Sequence, residues 1–348
     1  MIKTAIVGCG NIFDMHADSI ANIKNAKLAA VCDIRPERAE YKAKKYAARA
    51  FTDYKQMLEK ERPDVLHICL PHYLHAPVTE YALRAGVNVL CEKPMALDVG
   101  TAEKLAGLAR QKKLRYSVVF QCRYNDASQT VKKCLENGSL GRVLHARVTL
   151  TWNRTNEYYS GSDWKGTWAK EGGGLIINQM IHSLDLADWF IGSVPVKIQA
   201  HLANRKHPDI EVEDTAEGLV LYENGAQLVF YGNNNYGCDE PVEIRLLCEK
   251  GKVKMSYEEA LISFDDGTSI RAVQGDNGIK YAHRKDYWGI SHYGQIKDFY
   301  ESIADRRESA MPAENALNIQ RLIDGIYEAS KFRPVSFGNA GEVNSDRG

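Results

Sequence analysis

Net charge is what this chain has least of. Lysine plus arginine number 45 among its 348 residues, and aspartate plus glutamate also number 45. That balance gives no electrostatic reason to expect nucleic acid or a membrane surface as partner. No apolar run approaches the ~18 residues that read as a bilayer span. Met1-Ile2-Lys3-Thr4 runs straight into a strand pattern, without a signal-peptide plan, so a cytoplasmic protein is expected. The eight cysteines include no C-x-x-C pair and no zinc-like spacing. Cys9, Cys32, Cys69 and Cys91 each fall near the end of a strand pattern, as small buried residues in a reducing compartment do. Internal repeats and low-complexity tracts are also missing, and the length suffices for two domains with full cores.

What is present is an alternation of two periodicities. Strand patterns at 3–7, 28–32, 65–68, 88–91 and 115–119 are separated by helical patterns at 11–24, 36–46, 76–85 and 101–112. Such alternation predicts a parallel, doubly wound sheet. From about Val143 longer alternating runs take over, at 143–152, 196–202, 215–222, 226–233, 242–248 and 251–257. Glu223-Asn224-Gly225 and Glu249-Lys250-Gly251 supply hairpin turns between neighbours. The expected fold class is α/β: an N-terminal dinucleotide-binding domain over 1–122, then an α/β domain over 123–337 with a large open, mainly antiparallel sheet. Helices at 125–137, 175–190, 293–305 and 313–331 are expected to cover one face of that sheet. Its other face suits a contact between subunits, giving a homodimer or homotetramer. The polar tail, 338–348, is expected to be disordered.

Gly8-Cys9-Gly10 follows the first strand and opens the first helix, with Asn11 and Ile12 next. This is the start of a dinucleotide fingerprint. The first glycine permits the tight turn, and the second lets a pyrophosphate approach the backbone at a helix N-terminus. Phe13 stands where a third glycine is usual, which implies a different helix–strand contact. Asp33 ends the second strand at the distance expected of a ribose-binding acid and favours NAD; Arg35 and Arg38 keep NADP as the lesser alternative. Leu70-Pro71-His72 and His75 lie after the third strand, where a dinucleotide passes. The two histidines lack a carboxylate or cysteine to complete a metal site, and no metal is expected.

Lys93 is the residue to explain. It follows the buried run 88–91, at the mouth of a strand, where a lysine is costly unless its charge or proton is used. Glu92 and Pro94 flank it, and Pro94 restricts the turn. Farther on, Gly172-Gly173-Gly174 leads into a helical pattern that places Asn178 and His182 one turn apart on one face. His182 reads as a proton-exchanging group, or else as a satisfied core histidine. Trp152, Arg154, Tyr158, Tyr159, Trp164, Lys165 and Trp168 mix aromatic faces with hydrogen-bonding groups, which suits a sugar ring and also suits a subunit contact. Arg123, after the fifth strand, is placed to reach a substrate or Glu92. His292 is a weaker candidate.

In order and spacing, the stretches 6–11, 67–77, 89–94, 172–192 and 295–299 resemble the Gfo/Idh/MocA family, the glucose–fructose oxidoreductase and inositol dehydrogenase group. The resemblance runs from Met1 to about Phe337. It implies a nicotinamide cofactor and oxidation of a secondary alcohol on a sugar or polyol, with Lys93 as the catalytic lysine and His182 as the second domain's histidine. Many members carry aspartate where this chain has Asn178, and a neutral amide shifts the burden of proton transfer toward Lys93. Asn178 is expected to orient the hydroxyl or His182. The expected reaction is hydride transfer from a ring carbon to NAD, the hydroxyl proton leaving to Lys93 or His182. Two alternatives stay open: a redox-neutral elimination or hydrolysis through a transient keto-sugar, and a non-catalytic nicotinamide-sensing regulator.

Overall fold

The computed structural model describes residues 1–275 and 291–332, so the tail lies outside the described residues. Its first 118 residues build a six-stranded parallel sheet from β1 (Ile2–Val7), β2 (Ala26–Cys32), β3 (Arg49–Phe51), β4 (Val65–Ile68), β5 (Asn88–Cys91) and β6 (Tyr116–Val118). The order is β3-β2-β1-β4-β5-β6. Helices α1 (Phe13–Ala21), α2 (Pro36–Tyr46), α3 (Tyr54–Glu61), α4 (His72–Arg84) and α5 (Val99–Lys112) cross between the strands. Strands covered on both faces are largely apolar, and β4 is buried at every residue; its one polar side chain, His67, is paired with His16 and Tyr300. The chain reverses direction of travel between β1 and β4, which opens a crevice at the strands' C-terminal ends. Gly8, Asp33, Leu70 and Lys93 all follow those ends.

Two elements of this half carry no readable periodicity. β3 is three residues long and mostly exposed. α3 is charged on most of its surface and is started by Asp53, whose Oδ1 accepts from the backbone N–H groups of Lys55 and Gln56.

The second sheet has eight strands: β7 (Val143–Thr151), β8 (Pro195–Ala203), β9 (Thr215–Tyr222), β10 (Gln227–Asn233), β11 (Glu243–Cys248), β12 (Gly251–Met255), β13 (Glu259–Phe264) and β14 (Ser269–Val273). Their order is β14-β13-β12-β11-β7-β10-β9-β8, antiparallel except where β7 meets β10. Val148, Phe230, Ile244 and Val253 alternate onto the covered face. There they share a core with α6 (Asp126–Glu136) and α8 (Ile181–Ile191). A short helix, α7 (Asn156–Ser160), follows β7.

One expected placement is overturned. Helix α9 (His292–Ala304) does not cover the second sheet; it packs on α1 of the first. Ile296, Phe299 and Tyr300 join Ile6, Phe13 and Ile20 in one apolar cluster. Gln295 fixes the docking: its Oε1 accepts from Phe120 N and its Nε2 donates to the Val118 carbonyl. α10 (Ala313–Ser330) then bridges α5 and β8, so the two sheets share their last helices. Among the described residues no helix is long and apolar enough to cross a membrane.

Candidate active site

The crevice begins at a turn that only glycine can make. Gly8 has φ +95°, and a Cβ there would lie 2.2 Å from the Cys69 carbonyl oxygen. A Cβ at Gly10 would meet nothing within 4 Å, so the backbone there faces open space. Asp33 is tied to the same turn, one oxygen accepting from Cys9 N at 2.9 Å and the other from Arg35 N at 3.0 Å. Phe13 explains the missing third glycine. Its ring is fully buried, edge-on to Tyr46 at 5.6 Å, with the Lys42 amine 5.2 Å from its centre. It fills the space between α1 and α2, and α1 takes no side-chain cap at its start. An open turn, an uncapped helix start and an acid at the end of β2 fit a dinucleotide.

Lys93 and Asn178 meet across the two halves. The Lys93 amine donates to the Asn178 backbone carbonyl at 2.8 Å and to its side-chain Oδ1 at 2.9 Å. The carbonyl is offered by a wide π-helical turn, Ile176–Met180, that precedes α8. An α-helical spacing of Asn178 and His182 is therefore corrected: Asn178 holds the lysine and does not orient His182. π turns recur at functional sites because they redirect backbone groups from the helix ladder. Burial pulls the Lys93 amine down to about 8, against the opposing pull of Glu92 and Glu171.

His182 stands beside this pair, with its ring edge-on to Phe120. Burial first, then the Lys93 charge, lowers it to about 3, so the ring is neutral at ordinary pH. Its Nδ1 is buried with no hydrogen-bond partner among the described residues. Glu92 is held the other way. Burial pushes it up, but a 2.9 Å contact with His16 Nε2 and the nearby His292 and Lys93 charges outweigh this and keep it at about 2.

These groups line one cavity of about 190 Å³, together with Asn11 and Ile12. Trp152, Tyr158 and Tyr257 give it aromatic walls, and Arg154, Lys165 and Gln179 give it polar ones. The Lys165 amine sits 3.5 Å from the centre of the Tyr158 ring. His292 also lines it.

Both halves of the chain match one family. Residues 2–120 match the oxidoreductase family with an NAD-binding Rossmann fold, and residues 128–254 match the GFO/IDH/MocA C-terminal domain. The chain belongs to the Gfo/Idh/MocA family. It is an NAD-binding oxidoreductase, as the turn geometry had indicated. This family member is 32% identical to a D-glucoside 3-dehydrogenase of Escherichia coli K12, over 95% of each chain. It is 26% identical to an inositol 2-dehydrogenase of Rhizobium meliloti, covering 96% of this chain and 99% of that one. A crystal structure of the WlbA dehydrogenase of Bordetella pertussis, in complex with NADH and UDP-GlcNAcA, is 27% identical with a TM-score of 0.81, covering 95% and 96% of the two chains.

Several residues expected at this family member's site have partners of their own. His72 and His75 are not among the residues lining this cavity. The His75 nitrogens lie 2.7 and 2.8 Å from the Pro94 and Leu70 carbonyls, so the ring braces the lysine turn against the loop after β4. His72 lies 2.8 Å from the Glu171 carbonyl and packs on Trp164 at 4.6 Å. Trp164 thus makes a contact between the two halves, and Lys165 lines the cavity wall. Arg123 is also elsewhere. Its guanidinium is buried on both oxygens of Asp185, at 2.8 and 2.7 Å. The glycine run serves packing: a Cβ at Gly173 would lie 1.9 Å from the Tyr327 hydroxyl. Arg38 is exposed on α2. Glu171 and Tyr257 had no local sequence signal, since nothing in a loop or a strand end shows which way it faces, and Gln179 is turned to the cavity by the π-helical turn, which has no periodic mark.

Proposed function

We propose that this protein oxidises a secondary hydroxyl of a sugar, polyol or glycoside, with Lys93 as the general base. The observation that carries the reading is the Lys93 amine, held on two oxygens of Asn178 inside a cavity with aromatic and polar walls. Two donated hydrogen bonds leave one tetrahedral position of the neutral amine for a substrate hydroxyl proton. His182, neutral and weakly basic, hydrogen-bonds the same hydroxyl without carrying its proton. Trp152, Tyr158 and Tyr257 offer faces to ring C–H groups, and Arg154, Lys165 and Gln179 offer partners to hydroxyls. Gly8, Gly10, Asn11 and Ile12 would hold the dinucleotide phosphates, Asp33 the ribose, and Arg38, Leu70, Pro71 and Glu92 the flanks. NAD, when bound there, supplies the hydride acceptor.

The deciding experiment is a panel of sugars, polyols and glycosides, with NADH and carbohydrate products both followed. Turnover with NADH formation on a panel member is expected. Product without NADH would move the reaction to the redox-neutral class, and no turnover by NAD-loaded protein would remove the proposal. The pH profile gives a second check. Because Lys93 must be neutral to accept a proton and titrates at about 8, kcat/KM should rise with pH up to that point and then level. A flat profile across that range would rule out Lys93 as the base.

The outer face of the second sheet is proposed to pair with a second copy of the chain. Val229, Tyr231, Leu247 and Leu261 are exposed there, between ion pairs such as Arg147–Glu243. Light scattering is expected to give a dimer or tetramer, and Val229→Glu with Leu247→Glu a monomer. A monomeric wild-type chain would refute it.

A further inference from the structure

Seven residues before Asn178 the chain buries a carboxylate completely. Glu171 has no exposed surface, and a carboxylate in that position is costly without hydrogen-bond donors. Two are present. Oε2 accepts from Gly166 N at 2.5 Å, and Oε1 accepts from Asn178 Nδ2 at 2.6 Å. The backbone carbonyl of Glu171 meets the His72 ring, which ties this residue to the first half of the molecule. The groups facing it are Lys165 on its own loop, Lys93 after β5, Glu213 before β9, Tyr159 on α7 and Tyr327 on α10.

These contacts decide which way the Asn178 amide points. A carboxylate accepts and cannot donate, so the amide NH₂ must face Glu171. Its Oδ1 is then turned to Lys93, which donates to it. The reversed amide would set NH₂ against the Lys93 ammonium and Oδ1 against the carboxylate, two repulsive contacts. The second amide N–H faces the Tyr158 hydroxyl at 3.3 Å, so the orientation also reaches the cavity wall.

We infer that Glu171 is the positioning residue of this site: through Asn178 it locks the Lys93 amine and sets a negative charge one amide away from it. The neutral side chain at 178 thus relays a charge that it does not carry. The inference rests on Lys93 being the base of the proposed oxidation. Burial raises Glu171 to about 7, so its charge is adjustable in the range where the enzyme would work. A purely structural role, closing the loop onto Gly166, predicts no coupling to Lys93.

The test uses NAD-loaded Glu171→Gln, Asn178→Asp and their double variant. Glu171→Gln should lower kcat by about 10–100-fold with KM little changed, the usual cost of losing such a support. It should also move the Lys93 titration below about 8, because Glu171 holds the ammonium form up. Asn178→Asp alone opposes two carboxylates and should lower activity. In the Glu171→Gln background the same change should raise it, since the new amide donates to the new carboxylate, which accepts from Lys93. The effect of one substitution thus changes sign with the other. The Lys93 titration is read separately by heteronuclear NMR of lysine-labelled protein, with Lys93→Met identifying the resonance. Additive effects with an unmoved titration would overturn the inference. If the wild type turns over no substrate, the functional reading fails, but the NMR titration still decides whether Glu171 is coupled to Lys93.

Discussion

Lys93→Met is expected to remove turnover and to spare NAD binding. Loss of a general base costs about 10²–10⁴-fold in rate, or roughly 3–5 kcal/mol of barrier. The upper part of that range applies here, because His182 and Glu92, which share its cavity, are poor substitutes. His182 titrates at about 3 and is too weak a base. Glu92 is ionised but is held by His16 at 2.9 Å. Methionine keeps the apolar stem of the side chain, so the turn after β5 has no cause to move. The glycine turn and Asp33 lie just past β1 and β2, and their hydrogen bonds run to each other and to Arg35, not to Lys93. The measurements are kcat/KM on the best panel substrate and the NAD dissociation constant by fluorescence quenching. Equal losses in both would make Lys93 a cofactor ligand or a structural residue instead.

The parts of this site that were legible in the sequence are those whose signal is local. Gly8, Gly10, Asp33 and Lys93 each lie just past a short apolar run, and a parallel sheet brings such positions together by topology alone. Asn178 and His182 were legible as residues but not as geometry. An α-helical spacing was the natural expectation, and the π turn that presents the Asn178 carbonyl has no periodic mark. Glu171 was illegible because its meaning depends on two partners, Gly166 and Asn178, on either side of a folded loop. α9 was misplaced for a related reason. Its amphipathic face predicts burial but does not name the surface that covers it, and α1 was the better fit. Trp164 shows the limit of composition: an aromatic beside a site serves packing as readily as binding, and its ring packs on His72.

Arg123 is the clearest case of a charge read as a ligand that the fold uses otherwise, and its replacement should cost stability before it costs affinity. The Arg123 side chain is 7% exposed and that of Asp185 is 1%. Two parallel hydrogen bonds join them, and the Trp189 ring lies 5.1 Å from the guanidinium carbon. Burial pushes the Asp185 carboxyl up, and Arg123 opposes that push. Removing one partner leaves the other's charge buried alone, which typically costs about 3–5 kcal/mol. Arg123→Met should therefore lower the unfolding midpoint in urea strongly, while the folded fraction keeps its KM. Replacing both partners, as Arg123→Met with Asp185→Leu, should recover most of the loss, because a well-packed apolar pair needs no compensating charge. A stable Arg123→Met protein with a raised KM would instead return the arginine to the substrate site. The pair sits between the short helical turn Gln121–Tyr124 and α8, the helix that begins one turn after Asn178.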